Sequence, residues 1–218
     1  MDSGFLLKAA PFFLQAAKLT AVIAFWGILL AAVCGLICAA ARFYRVPLLS
    51  QLAAGYIELA RNTPLIVQLF FLYFGLPRAG IRLDGQTCAI AGLTFLGGAY
   101  LAEAFRGGLA AVGRGQIEGG LSIGLNRLQL LRYVIIPQAL AVSLPAISAT
   151  VIFLMKETSV FSIVALPDLM YVAKDLLKEG HSAETNVLLV ASYLVLILPV
   201  SLLLGWAERR LRFAGFGA

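Results

Sequence analysis

The chain has 218 residues, of which 61% are hydrophobic and 13% are charged, and its formal net charge is +6. A water-soluble domain of this length needs more charged residues on its surface, so the composition excludes an ordinary soluble globular protein. The excess apolar residues have to face lipid, and their long runs without alternation predict helices rather than barrel strands.

The apolar runs predict five membrane-spanning helices within a single domain that comprises residues 1–218. A helical span needs about 20 apolar residues. In chain order, the runs place the spans at about 19–41, 56–76, 87–105, 134–154 and 186–206. Lys and Arg residues stand between the runs and form no dense basic patch, which favours cationic span ends over a nucleic-acid-binding surface.

Two segments between the fourth and fifth spans differ from simple spans. Residues 156–166 are apolar but are interrupted by charges and hydroxyl groups. Residues 167–180 place apolar side chains on one helical face, which predicts an amphipathic helix at the outer surface of the membrane. These side chains are Leu169, Val172, Ala173, Leu176 and Leu177.

The distribution of basic residues predicts which side of the membrane each loop faces. Lys and Arg are enriched in cytoplasmic loops. We therefore expect the loop after span 1, the stretch 106–133 and the C-terminal tail to be cytoplasmic, with the N-terminus outside. The loop contributes Arg42 and Arg45, and the tail contributes Arg209, Arg210 and Arg212.

The most informative stretch joins spans 3 and 4. Its defining residues are, in order, Glu118, Gly119, Gly120, Ser122, Gly124 and, at the end of a Val-Ile-Ile-Pro run, Pro137. We expect a short helix, a turn at Gly124, where glycine adopts a left-handed conformation at little cost, and a second helix leading into span 4. A bent element of this kind, over about 113–133, is suited to docking a soluble partner.

This motif resembles the cytoplasmic signature of the permease subunits of bacterial ABC importers, whose residues contact the ATPase. That signature reads Glu-Ala-Ala, three residues, Gly, nine residues and Ile-x-Leu-Pro, and the chain departs from it mainly where Gly119 and Gly120 replace the alanines. Three further segments are similar to the polar amino-acid uptake branch of the family. They are Glu58-Leu-Ala-Arg61-Asn-Thr-Pro64-Leu-Ile-Val-Gln68, Tyr100-Leu-Ala-Glu103-Ala-Phe-Arg106-Gly-Gly108 and Lys156-Glu-Thr158-Ser159.

The resemblance implies an all-α integral membrane fold like that of type I ABC importer permeases, with a cytoplasmic coupling helix between spans 3 and 4. It also implies a multi-pass location in the bacterial inner membrane and uptake of a polar amino acid by alternating access. The implied partners are two ATPase subunits, a second permease copy or a paralogue, and an external solute-binding protein. Because the chain has no GxxxxGK[ST] loop, we expect ATP and magnesium in the ATPase and no cofactor in this chain.

Polar residues within the spans are the candidate pathway residues, because a charge there costs about 2.5–3.5 kcal/mol on insertion scales. Lys156 and Glu157 either meet the carboxylate and ammonium of an amino acid or pair with other charges of the protein. Thr158 and Ser159 either hydrogen-bond the same ligand or cap a broken helix. Gln68 either lines the pathway or bonds another helix. The carboxylate of Glu157 favours a zwitterionic or cationic ligand.

Two pairs of opposite charge stand at the predicted cytoplasmic ends of spans 2 and 3. Glu58 and Arg61, and likewise Glu103 and Arg106, are three residues apart, which predicts local or interhelical ion pairs. A cytoplasmic gate built from these four residues is the alternative. His181, the only histidine, has no carboxylate or cysteine cluster around it, so the sequence predicts no catalytic residue and no metal site.

Three other functions are an importer of a different solute, an intramembrane enzyme and a membrane scaffold. An importer of another small polar solute, such as an opine or a sulfur compound, is not separated from an amino-acid importer by the sequence, because the external binding protein supplies much of the selectivity. An intramembrane enzyme needs a nucleophile–base pair or metal ligands in the spans, and none converge. A membrane scaffold does not predict the motif that runs from Glu118 to Pro137.

Overall fold

The computed structural model describes residues 3–213, with the side chains of residues 4–211. Every regular element in this part of the chain is helical. Four of the helices are long and apolar enough to cross a membrane, and a bent pair of shorter helices provides a fifth span if it is counted as one. The prediction of an all-helical membrane protein with about five spans is confirmed.

The helices follow one another with short connections. They are α1 (Ser3–Phe43), α2 (Leu49–Arg61), α3 (Leu65–Phe70), α4 (Gly85–Ala111), α5 (Arg114–Ser122), α6 (Arg127–Leu130), α7 (Ile136–Glu157), α8 (Leu169–Leu176) and α9 (Ser182–Phe213). Two π-helical turns, Phe71–Gly75 and Leu131–Ile135, and three 3₁₀ turns, Leu76–Ala79, Thr158–Val164 and Leu177–Glu179, extend or join them.

The second span is broken, whereas the sequence predicted one continuous helix over 56–76. The helix pair is bent by 102° between Arg61 and Leu65. The break follows from Pro64, which has no backbone N–H and disfavours the helical conformation of the residue before it. The side-chain amide of Gln68 supports the bend, because its Nε2 donates to the carbonyl oxygens of Ala60, at 3.2 Å, and Thr63, at 3.0 Å.

Each π-helical turn lies just before a proline. Phe71–Gly75 precedes Pro77, and Leu131–Ile135 precedes Pro137. Because proline cannot donate to the carbonyl four residues back and its ring crowds that carbonyl, the preceding turn widens. The helix passes through Pro137, so the fourth candidate span is continuous over 127–164 and starts earlier than predicted.

Helix α4 lies between α1 and α7 and packs closely against both. A Cβ atom added to Gly97 would lie 2.7 Å from Leu154 Cδ1 of α7 and 2.9 Å from Ala31 Cβ of α1. Helices approach this closely only where small residues leave room for the neighbouring side chains. Gly97 of α4 therefore allows α1, α4 and α7 to pack closely within this chain.

Helix α1 extends well beyond one membrane span. It has 41 residues, about twice the number that a span needs. The first part of α1 packs through Phe5, Phe13 and neighbouring alanines against Leu169 and Ala173, which are buried on α8. The segment predicted to be amphipathic is helical. Its apolar face packs against α1 and α9 from Leu169 to Leu176, whereas Leu177 is exposed.

Candidate functional site: a coupling segment and a polar cavity

The predicted short helix and turn are present between the third and fourth spans. Helix α5 ends at Ser122, and Gly124 adopts a left-handed conformation with φ of +84°. The N–H of Gly124 donates to the carbonyl of Leu121, at 3.0 Å, and the N–H of Leu125 donates to that of Gly120, at 3.1 Å. These two bonds satisfy the last carbonyls of the helix, and the backbone conformation suits glycine at position 124.

The second helix of this segment starts with a reciprocal cap. The side chain of Asn126 accepts from the N–H of Gln129, and the side chain of Gln129 accepts from the N–H of Asn126, both at 2.9 Å. Leu130 is buried against Val112 and Ile135. The caps and this small core hold the two helices at a fixed angle.

The motif residues differ in what surrounds them. Glu118, Gly119 and Ser122 are exposed, and the Ser122 hydroxyl donates to the Glu118 carbonyl at 2.9 Å. Gly120 is buried, and a Cβ atom there would lie 2.5 Å from Leu130 Cδ1, whereas a Cβ atom on Gly119 would meet nothing within 4 Å. Pro137 lies apart from this surface, in the first turn of α7.

Apolar side chains that the sequence analysis did not single out surround the motif. Ile123 is 78% exposed and Leu128 is 73% exposed, and both lie next to the turn. Large apolar residues in a stretch rich in Gly, Arg and Gln are the signal that could have identified them. An exposed apolar patch with polar neighbours is typical of a surface that binds another protein.

A polar cavity of about 310 Å³ lies at the break in the second span. Arg61, Asn62, Thr63 and Pro64 form one side of it. The lining is completed by residues that include Leu96, Tyr100, Phe153, Glu157 and Val160. A cation, a carboxylate and uncharged hydrogen-bonding groups thus line one small space whose remaining walls are largely apolar.

The structure separates four consecutive residues that were predicted to share the pathway. Glu157 lines the polar cavity, but Lys156, Thr158 and Ser159 are not among the residues that line it. Lys156 is exposed, and Thr158 is fully buried with its hydroxyl donating to the carbonyl of Met155 at 2.8 Å. Successive residues of a helix point in directions about 100° apart, so the end of α7 turns Lys156 and Thr158 away from the cavity that Glu157 lines.

Gln68 lines a different cavity, of about 620 Å³, which is mostly apolar and is bounded by α2, α3 and α4. Its amide nitrogen faces the carbonyls of Ala60 and Thr63. Because carbonyl groups only accept hydrogen bonds, the Nε2 atom has to face them, and the Oε1 atom is left buried without a hydrogen-bond partner.

The two charge pairs predicted from spacing have different outcomes. Glu103 Oε2 accepts from Arg106 Nε at 3.0 Å and from Arg106 Nη2 at 2.7 Å. Glu58 and Arg61 form no such pair: Glu58 accepts from Asn62 Nδ2 at 3.2 Å. The Arg61 guanidinium instead lies over the ring of Tyr100 on α4, in a cation–π contact.

Arg42 completes the group around Glu103, although it was predicted only as a loop cation. Its Nη1 pairs with Glu103 Oε1, so both carboxylate oxygens have a cationic partner, from α1 and from α4. The two residues are 61 positions apart in the chain. No local pattern pairs them.

The described residues offer no metal site: no three His, Cys, Asp or Glu side chains within 3–213 are grouped as metal ligands. The imidazole of His181 stacks on the ring of Phe5, with the ring centres 4.2 Å apart. Arg212 of the predicted basic tail lies outside the described side chains.

Comparison with known proteins gives this architecture a family. Residues 31–213 match the family described as binding-protein-dependent transport system inner membrane component. The chain belongs to this family. It is 39% identical, over 88% of each chain, to the probable glutamine ABC transporter permease protein GlnP of Bacillus subtilis (strain 168). It is also 33% identical, over 94% of each chain, to the glutamine transport system permease protein GlnP of Escherichia coli (strain K12).

Solved structures of related transporters share the fold of this permease. A crystal structure of an amino acid ABC transporter with histidines matches with a TM-score of 0.87 and 32% identity, covering 96% of this chain and 99% of that chain. Inward-facing MetNI methionine ABC transporter matches with a TM-score of 0.71 and 20% identity, which shows the fold alone. The predicted likeness to ABC importer permeases of the polar amino-acid branch is confirmed, and with it a multi-pass location in the inner membrane.

Proposed function

We propose that this permease carries a zwitterionic or cationic polar amino acid inward by alternating access, and that its polar cavity is the substrate site of the membrane domain. The observation that supports this most directly is that Arg61 and Glu157, a cation and a carboxylate, line one cavity. A guanidinium complements the carboxylate of an amino acid, and a carboxylate complements its ammonium group. Glu157 is half-buried beside apolar walls that include Leu96 and Phe153, and a hydrogen bond to its carboxylate is stronger there than in open water.

The size and position of the cavity fit this role. Its volume of about 310 Å³ lies at the lower end of the range for small-molecule sites. It adjoins the break at Pro64, and transporter sites are typically built where a span is interrupted. The names of the relatives favour an amino acid over the alternatives of an opine, a sulfur compound or a non-transport scaffold.

We further propose that the segment from α5 to α6 seats in a groove of an ATPase subunit. Exposed Ile123 and Leu128 supply apolar contacts, and the caps hold the element rigid enough to transmit a displacement. The complex then contains two ATPase subunits that bind ATP and magnesium, an external solute-binding protein, and a second permease copy or a paralogue. In this arrangement Arg42, the coupling segment and the tail face the cytoplasm, and the N-terminus faces outward.

The charged residues at the ends of α2 and α4 serve chiefly to tie helices together in this proposal. The contacts of Glu103 with Arg42 and Arg106 link α1 to α4. A gate built from Glu58, Arg61, Glu103 and Arg106 is the alternative. Replacing Glu58 with Gln distinguishes them, since a gate residue is expected to change transport or basal ATP hydrolysis and a surface residue is not.

The substrate site is tested with two neighbouring variants, Glu157→Gln and Lys156→Gln, in the complete complex reconstituted in lipid. Transport is measured against glutamine concentration and then with a panel of amino acids. Loss of one charge-assisted hydrogen bond predicts a rise in the KM of Glu157→Gln of about tenfold to hundredfold. Lys156→Gln, which does not line the cavity, keeps the KM of the unaltered protein. An unaltered KM in Glu157→Gln for every transported amino acid would overturn the proposed site.

The coupling segment is tested with two glycines that differ in backbone conformation. A Cβ atom added at Gly113 or at Gly124 meets nothing within 4 Å, but only Gly124 has a positive φ. Gly124→Ala is therefore expected to weaken co-purification of the ATPase, and Gly113→Ala is expected to preserve it. Equal retention of the ATPase by both variants would count against docking through this turn.

A further inference from the structure

A buried carboxylate lies where the 3₁₀ turn after α7, the start of α8 and helix α9 meet. Asp168 is fully buried, and its Oδ1 accepts from the N–H of Tyr171 at 2.9 Å, which caps α8. Its Oδ2 is buried as well and has no hydrogen-bond partner in the protein. Burial raises the pKa of Asp168 to about 6, and Oδ2 is a buried polar atom that needs a hydrogen-bond partner.

A second buried polar atom faces this carboxylate from α9. Tyr193 packs against the cluster that contains Leu169, the residue after Asp168. Its hydroxyl interacts electrostatically with Asp168 and weakly with the hydroxyl of Thr158, and no well-formed hydrogen bond satisfies it. The nearest cation, Lys174, donates to Ser162 Oγ at 2.9 Å rather than to Asp168. Buried polar atoms almost always have a partner, and groups separated by more than hydrogen-bond distance are commonly joined by an ordered water.

We propose that an ordered water joins Asp168 Oδ2 to Tyr193 Oη next to Thr158, and that this bridge positions Glu157 in the polar cavity. The inference rests on the proposed function, because it gives Glu157 its role. Thr158 follows Glu157 directly and is fully buried, so whatever fixes its place fixes the direction in which Glu157 leaves the end of α7. Asp168 and Tyr193 act as positioning residues and do not contact the transported solute.

The chemistry of the group favours water over a cation. A water molecule donates to the carboxylate and accepts from the tyrosine hydroxyl, which satisfies both atoms at once. A monovalent cation would have a single carboxylate as its charged ligand and would leave the hydroxyl proton without an acceptor. The bridge ties α8 and α9 to the segment that carries Glu157.

The test uses Tyr193→Phe, Asp168→Asn and the double variant in the complete reconstituted complex, with Tyr171→Phe as the matched control. Asn also caps helices well, so Asp168→Asn keeps the bond from the Tyr171 N–H, but its Nδ2 is a donor where Oδ2 was an acceptor and no longer accepts from the water. Tyr171→Phe removes a hydroxyl from an exposed residue of the same region. Transport KM, kcat and basal ATP hydrolysis are measured for each variant.

The bridge predicts a rise in KM of about two- to tenfold for each single variant, the effect of one lost hydrogen bond, with basal ATP hydrolysis unchanged. The double variant is expected to match the more affected single variant, since both remove the same water. Tyr171→Phe keeps the KM of the unaltered protein. Additive effects, or a KM in Tyr193→Phe equal to that of Tyr171→Phe, would overturn the bridge.

Two additional comparisons separate the causes of failure. If Glu157→Gln raises the KM but the bridge variants are additive or silent, the inference fails and the proposed site stands. If Glu157→Gln leaves the KM unchanged, the proposed site fails, and with it the positioning role of the bridge. Replacing sodium with choline in the buffer is expected to leave the KM unchanged, and a sodium-dependent KM that is lost in Asp168→Asn would replace the water with a bound cation.

Discussion

The guanidinium carbon of Arg61 lies 5.3 Å from the centre of the Tyr100 ring, and both residues line the polar cavity. Arg61 is the last residue of α2, and Tyr100 lies in the middle of α4. The contact therefore joins the broken second span to the central helix of the fold. It also orients Arg61, whose cationic side chain lines the cavity.

Two replacements of Tyr100 distinguish the contribution of its ring from that of its hydroxyl. Tyr100→Phe keeps the aromatic face and is expected to transport with a nearly unchanged KM, whereas Tyr100→Leu removes the face. Since a cation–π contact contributes about 0.5–1 kcal/mol at exposed sites, the KM of Tyr100→Leu is expected to rise about two- to fivefold. Transport assays in proteoliposomes measure both. Equal values for the two variants would show that the ring does not orient Arg61.

Removing the carboxylate of Glu103 leaves two cations, Arg42 and Arg106, facing each other. Glu103→Gln is therefore expected to destabilise the permease by about 1–3 kcal/mol, measured as a lower unfolding temperature in detergent. Asp175→Asn is the control, because Asp175 forms an exposed pair with Lys178 at the same three-residue spacing. Exposed pairs contribute about 0–1 kcal/mol, so the control is expected to change stability little. A smaller loss in Glu103→Gln than in the control would contradict a stabilising role.

The two glycines of the coupling motif are expected to respond differently to alanine. Gly119 is open on its outer side, so Gly119→Ala should stabilise α5 by about 0.5–1 kcal/mol. At Gly120 the added methyl group meets Leu130, and part of that gain is lost in moving this side chain. Hydrogen exchange of the amides of 114–122 measures the difference, and faster exchange in Gly119→Ala would refute the expectation.

Two aspartates that cap helices are expected to show opposite pH dependence. Asp84 Oδ1 accepts from the N–H of Thr87 at 2.8 Å, and this bond holds the pKa of the exposed Asp84 below its ordinary value of 3.8. Its stabilising effect is present above pH 3.8 and is lost as the pH falls below that value. Burial instead raises the pKa of Asp168 to about 6, so its stabilising contribution is complete below pH 3.8 and is lost as the pH rises through 6.

Unfolding temperatures between pH 3 and pH 7 test this contrast. The advantage of the unaltered protein over Asp84→Asn is expected to shrink as the pH falls. Its advantage over Asp168→Asn is expected to shrink as the pH rises from 4 to 7. Parallel curves for the two variants would contradict the assignment of opposite shifts.

Local features of the sequence were sufficient for several parts of this structure. The apolar runs located the spans because length and hydropathy decide which helices can cross a bilayer. The turn at Gly124 could be predicted because a left-handed residue after a short helix favours glycine. The sequence analysis did not predict the break at Pro64, although proline is its cause. Apolar residues continue on both sides of Pro64, as they do in an unbroken span.

Only the tertiary structure showed which residues line the polar cavity and which charged or buried groups lie next to each other. Composition and motifs by themselves determined an all-helical membrane permease with a bent segment between its third and fourth spans, since these depend on residues close together in the chain. Only packing brought Arg61 to Tyr100 and Glu157, paired Arg42 with Glu103, and buried Asp168 beside Tyr193. The physical reason is that hydropathy and helix propensity act over a few residues, whereas the direction of a side chain into a cavity depends on how whole helices bend and cross.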